Sequence, residues 1–212
     1  MARPGRNIEQ ALLKSGRKLY AQRGASGLAV RALTEHARVN LGMFHYHFRT
    51  KDEFLRQLLS GWYEEMFGAL ASHARQDGPP LHRLQDALLF LARFARDNRP
   101  ILSRVLMDAA SGNAVAAQFL RDNAPRHLAL LLALMDEAER DGLVIKMPPM
   151  QRFAFVMGAV GMPILIAPAL QSIGVAPRLL GAQLQVQVLG DEAIAQRIAL
   201  VMKAIATGKG WT

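Results

Sequence analysis

His45 and His47 flank Tyr46 as an H-x-H pair, a spacing that could ligate a metal. On a strand two such imidazoles share a face and can hold one ion. On a helix they diverge by about 200°, so one chain cannot close them on a single metal. His36, His73, His82 and His127 are scattered, and there is no cysteine to supply thiolate. Metal binding is therefore not expected. Catalytic patterns are missing as well: no H-E-x-x-H, no G-x-S-x-G, no phosphate-cradling glycine loop. The serines lack acid–base partners close in sequence, although a triad assembled in space stays open. No catalytic residue and no cofactor are assigned, and the expectation is a protein that is not an enzyme.

The elements around the histidine pair suggest a different chemistry. Val30, Leu33 and Ala37 recur at helical spacing and share one face of a two-turn helix. Arg38-Val39-Asn40 interrupts the pattern, and Asn40 suits a helix cap. Leu41 to His47 then forms a second short helix, with Phe44 and Phe48 one turn apart and able to reach Leu33 and Ala37. Thr50-Lys51-Asp52-Glu53 fits a capping box opening a third helix. Helix, tight turn, helix and a firmly started successor make a helix-turn-helix, whose second helix can enter a DNA major groove.

Ala37-Arg38-Val39-Asn40-Leu41-Gly42, then Phe44-His45-Tyr46-His47-Phe48 and Thr50-Lys51, resembles the signature of TetR-family transcriptional regulators. Ile8, Ala11, Leu19 and Arg23-Gly24 look like that family's first helix and its closing glycine. The resemblance covers roughly Asn7 to Leu59. It implies an all-α fold: an N-terminal three-helix DNA-binding domain over 1–50, and a helical ligand-binding and dimerisation domain over 51–212. A fourth helix, 51–75, would link them. It also implies that Asn40, Leu41, Gly42 and Met43 open the reading helix, the last three facing bases. His45, Tyr46, His47 and Lys51 would lie against the phosphate backbone, with Arg31 reaching it from the preceding helix. Four positions depart from the family pattern. Leu41 stands where a polar or basic residue is frequent, His45 where tyrosine is usual, Arg38 where glycine is common in the turn, and Ala29 where a hydroxyl caps. Leu41 and Met43 offer no side-chain hydrogen bond to a base edge; their contact is apolar, with a thymine methyl.

Charge agrees with a polyanionic partner. Of the net +9, residues 1–60 carry +7 and residues 61–212 only +2, which sets the excess on the segment that would displace counterions from phosphates. Arg3 and Arg6 belong to a basic tail. No secretory leader is expected from Met1–Arg6, and the absence of cysteine suits a reducing, cytoplasmic setting. From Phe153 to Pro177 there is no charge, which meets the length criterion for a membrane span. Gly158, Gly161, Pro163, Pro168 and Gly174 speak against it, and a buried interface helix serves equally well, so no membrane is expected.

Further helices are expected over 81–97, 100–110, 114–122, 125–141, 151–170 and 191–206. The stretch 172–190 is open between helix, loop and a strand over Ala182–Leu189. The resemblance implies a homodimer formed through the helices near 151–170 and 191–206, a double-stranded palindromic operator, and a small-molecule effector of unknown identity. Phe90, Phe94, Met107, Phe119, Met135, Phe155, Met157 and Met162 are candidate apolar walls of an effector cavity. Asp108, Gln118, His127 and Gln151 are candidate polar contacts. The rival reading is a helical ligand-binding or adaptor module without sequence-specific DNA binding, prompted by the weak base-reading chemistry of Leu41 and Met43. A membrane-associated helical protein is the third.

Overall fold

The computed structural model describes residues 4–172 and 178–208, with side chains described over 7–166 and 181–208. The described residues form helices joined by short turns; no strand occurs among them beyond an isolated Val144–Ala206 bridge. The order is α1 (Pro4–Gly27), α2 (Val30–Ala37), α3 (Leu41–His47), α4 (Lys51–Ala74), α5 (Pro80–Asp97), α6 (Arg99–Ala110), α7 (Ala114–Arg140), α8 (Pro149–Ser172), α9 (Arg178–Gln187) and α10 (Asp191–Ile205).

The chain forms two units. Met1–Glu65 and Pro100–Ala124 make the first, and Met66–Arg99 and Pro125–Thr212 the second. A division at residue 50 is not what the packing produces, because Lys51–Glu65 and the stretch 100–124 cluster with the N-terminal head. In the first unit α1 packs on α2 and α3, and α2 on α3. Leu12, Leu33, Phe44, Phe48, Phe54 and Leu58 bury almost completely there. Trp62 and Tyr63 are core, as expected, and the Tyr63 hydroxyl donates to the Asn123 carbonyl at 2.7 Å.

In the second unit α5 packs against α8 and α10, and α8 against α10. Ile194, Ile198, Val201 and Ile205 of α10 are buried, as their spacing predicts. The sequence pattern concealed a fully buried arginine at the start of α8. Arg152 bonds Glu139 through Nη1 and Asp136 through Nη2, the latter at 3.1 Å, tying α8 to the last turns of α7. Arg152 is buried whereas Asp136 is exposed and Glu139 half-buried, so loss of the acids would leave a buried guanidinium without its partners, which is costly.

One expectation about the helices requires correction. The pieces 114–122 and 125–141 are one helix, with Pro125 inside it. Proline removes one donor and crowds the preceding turn, yet both sides remain helical, and the division between units falls at Ala124/Pro125. The stretch 172–190, open between helix, loop and strand, contains α9 over Arg178–Gln187, after which Val188 and Leu189 donate back to Leu184. Within Leu128–Met135 of α7, Leu131, Leu134 and Met135 are inside. Arg3 and the side chain of Arg6 lie outside the described residues.

At Gly16 helix α1 faces the side chains of Phe54 and Leu58 on α4. A β-carbon there would lie 2.4 Å from Phe54 Cζ and 2.6 Å from Leu58 Cδ1. Helix propensity favours alanine over glycine by about 1 kcal/mol, but overpacking a filled core costs about 1–3 kcal/mol. Gly16→Ala is therefore expected to lower the urea midpoint of unfolding, against its propensity; an unchanged or higher midpoint would show that the α1–α4 seam can yield.

Candidate nucleic-acid interface

The turn between α2 and α3 is built by backbone conformation. Arg38 takes the left-handed region (φ 56°, ψ 44°), and its N–H and that of Val39 return to Glu35 and Thr34 carbonyls. A non-glycine residue in this conformation costs about 1–2 kcal/mol, set here against the two backbone hydrogen bonds that close the turn. Ala29 makes no side-chain cap. Asn40 does: its Oδ1 accepts the Gly42 N–H at 2.8 Å. That oxygen is committed to starting α3, which leaves its amide nitrogen as the group available outward. Thr50 Oγ1 likewise accepts the Glu53 N–H at 3.1 Å and starts α4.

An aromatic cluster sets the roll of α3. Phe44 and Phe48 lie 5.6 Å apart by ring centroids, and Phe54 of α4 sits 5.6 Å from Phe44 and 5.0 Å from Phe48. With these rings inside, the other face of α3 points to solvent. Leu41 is 39% and Tyr46 78% exposed, Gly42 and His45 are exposed, and Met43 and His47 are half-buried. Arg31 is exposed and Lys51 half-buried. All nine residues expected to meet nucleic acid thus sit on or beside one short helix with its outer face open. His45 and His47 make separate ring contacts, with Phe44 and with Tyr46 and Phe48. Among the described residues no group of three His, Cys, Asp or Glu is placed to hold a metal.

The expected effector residues divide between the two units. Phe90 and Phe94 line a groove in the second unit. Phe155 and Met162 stand exposed on α8, while Met157 and His127 are half-buried and Met135 is inside. In the first unit Met107 is 59% exposed, and Phe119 is core against Trp62 and Tyr63.

Asp108 proves to be a structural carboxylate. Its Oδ2 accepts the Ala25 N–H at 2.7 Å, just after α1 breaks at Gly24 (φ 68°). A β-carbon on Gly24 would lie 2.9 Å from Asp108 Oδ1, so glycine serves both the backbone angle and the approach of the carboxylate. Arg104, one turn earlier on α6, donates to the Gln22 carbonyl at 2.9 Å. Residues of α6 thus satisfy backbone groups at the end of α1, a link that no local spacing could reveal. The fully buried Tyr20 hydroxyl lies by Asp108; burial first, and then the carboxylate, push this phenol above its ordinary value of 10.0.

An outward-facing second helix on an aromatic-cored trihelical head defines a helix-turn-helix protein. A family model described as bacterial regulatory proteins, tetR family, matches residues 12–58. The chain is 32% identical over 80 residues to the HTH-type transcriptional repressor DhaR of Mycobacterium sp. (strain GP1), a match covering 37% of this chain and 40% of that one. It is 31% identical over 83 residues to the HTH-type transcriptional repressor KstR2 of Mycobacterium tuberculosis, covering 39% and 40%. The chain thus spans less than half the length of either curated relative. A crystallised TetR-family transcriptional regulator from Mesorhizobium loti shares the fold over 97% of this chain and 100% of its own, with TM-score 0.68 and 11% identity. These likenesses support a TetR-family transcriptional regulator, with the family match carried by residues 12–58.

Two measurements bear on the α1–α6 link. Asp108→Ala leaves the buried Ala25 N–H without an acceptor and is expected to cost about 1–3 kcal/mol, whereas Asp108→Asn keeps an acceptor and loses less. Tyr20 has a raised folded-state pKa, so its contribution is complete below about pH 10 and declines above it, where the unfolded chain loses its proton first. Urea midpoints across pH 8–11 should fall more steeply for the wild type than for Tyr20→Phe; parallel curves would remove Tyr20 from the account.

Proposed function

We propose that the chain is a homodimeric, cytoplasmic transcriptional repressor that binds a palindromic operator and is released from it by a small effector. The outward face of α3, held by Phe44, Phe48 and Phe54, is the observation that carries this reading. Leu41, Gly42 and Met43 enter the major groove. Arg31, His45, Tyr46, His47 and Lys51 contact phosphate, fixing register without reading sequence. Asn40 contributes its amide nitrogen at the same edge. The two named relatives, both repressors, support the sign of regulation.

Dimerisation follows from α8. Its stretch Pro149–Ile166 is long and apolar enough to cross a membrane, yet only 22% of it is buried within the chain. Phe155, Met162 and Ile166 stand exposed on it, and Leu200 on α10. Such a surface calls for a partner, and a second copy supplies the twofold axis that a palindrome needs. The two reading helices then match half-sites about 34–36 Å apart. The helix α4 has residues in both units. An effector preferring the conformation with the wrong half-site spacing lowers DNA affinity by its differential binding.

Base reading by Leu41 and Met43 is apolar, so the operator should carry T·A pairs beneath them, recognised by the thymine methyl. Selection from a random DNA pool should enrich thymine at those positions; a strict guanine requirement would count against it. Lys51→Ala should weaken binding uniformly across sequences and reduce the salt slope by about one. Phe155→Glu with Met162→Glu should yield monomers by analytical ultracentrifugation and abolish tight operator binding. A wild type that is monomeric at micromolar concentration would overturn the dimeric reading.

A further inference from the structure

The second unit contains a groove of about 510 Å³ between the end of α4 and one face of α5. Its apolar side is a run of three rings. His73 lies 5.1 Å from Phe90, and Phe90 lies 6.1 Å from Phe94, both pairs tilted by 32°. Phe90 and Phe94 are one turn apart on α5 and only half-buried. Leu81, Leu84, Ala87, Leu88 and Ala92 of the same helix are already buried.

The charges in and around the groove leave a net carboxylate. Arg93 is held by Asp191, Nε to Oδ1 at 3.0 Å. Arg96 is held by Asp97 at 2.8 Å and by the same Asp191 oxygen at 3.0 Å. Two arginines and two aspartates therefore neutralise one another. Asp86, also in the lining, has no ion-pair partner among the described residues and is exposed. An anion entering here would meet an uncompensated carboxylate and guanidinium groups already engaged. A cation would meet the carboxylate and the negative faces of aromatic rings, which attract it whether or not they hydrogen-bond.

We propose that this groove binds a small organic cation with an apolar, preferably aromatic, body: the charged end beside Asp86, the body against Phe90 and Phe94. The volume lies within the range of small-molecule sites. The proposal concerns the second unit alone and holds whether or not the head reads DNA.

Isothermal titration calorimetry on the full chain at low salt provides the test, with benzyltrimethylammonium as the probe and benzoate and benzyl alcohol as anionic and neutral comparisons. One saturable site per chain is expected for the ammonium, with benzoate giving no comparable heat. Asp86→Asn should weaken the ammonium about fivefold, the size of a single screened charge interaction, and Asp86→Glu should restore it. Phe90→Ala and Phe94→Ala should each lose about two- to fivefold. Asp86 is exposed, so its variants report even if a phenylalanine variant fails to fold. Benzoate or benzyl alcohol binding as well as the ammonium, an Asp86→Asn variant with unaltered affinity, or no saturable heat would each overturn the proposal.

Discussion

The packing of Phe44, Phe48 and Phe54 is the constraint on which the head depends. Two of these rings belong to the seven-residue α3 and its C-terminal cap, and the third to the first turn of α4. A helix of two turns has no stability of its own in water, because nucleation is costly and few hydrogen bonds repay it. Burying the aromatic face is what holds α3 in place and sets its roll. The polar and small residues of the opposite face are exposed as a consequence, and recognition rests on that consequence. The Phe54 ring, with Leu58, also fills the space facing Gly16, where the first helix carries no side chain.

A second constraint acts on the end of α1. The helix breaks at Gly24, which frees the Ala25 N–H, and a carboxylate distant in sequence accepts it. An unsatisfied buried donor would be expensive, so α6 is required for the ordinary closure of the first helix. The position of α6 and the conformation of the α1–α2 turn are thereby coupled by chemistry local to the first unit. Asp108 appeared from sequence to be a polar contact for a ligand. It has instead been consumed by the backbone.

The surface divides into regions of different character. Residues 1–60 carry most of the net positive charge, whereas α8 presents an exposed apolar face. The groove along α5 combines half-buried rings with a carboxylate that its neighbours leave uncompensated. Phosphate-attracting charge, apolar area, and aromatic faces beside a carboxylate are three distinct kinds of surface chemistry.

Sequence by itself determined the helix-turn-helix nearly to the residue. Its determinants are local: the cap at Asn40, the capping hydroxyl of Thr50, the spacing of Phe44 and Phe48, and the interruption at Arg38. Each acts within one or two turns of chain. Helix continuity through Pro125, the helical state of 178–187 and the exposure of α8 were decided only in the tertiary structure, because neighbouring elements outweigh weak local preferences. The roles of Asp108 and Arg152 were equally hidden, since a carboxylate or guanidinium in sequence does not name its partner. Asp108 meets Ala25 across 83 residues, and Arg152 meets acids 13 and 16 residues away on another helix. Only folding brings such groups within hydrogen-bond reach.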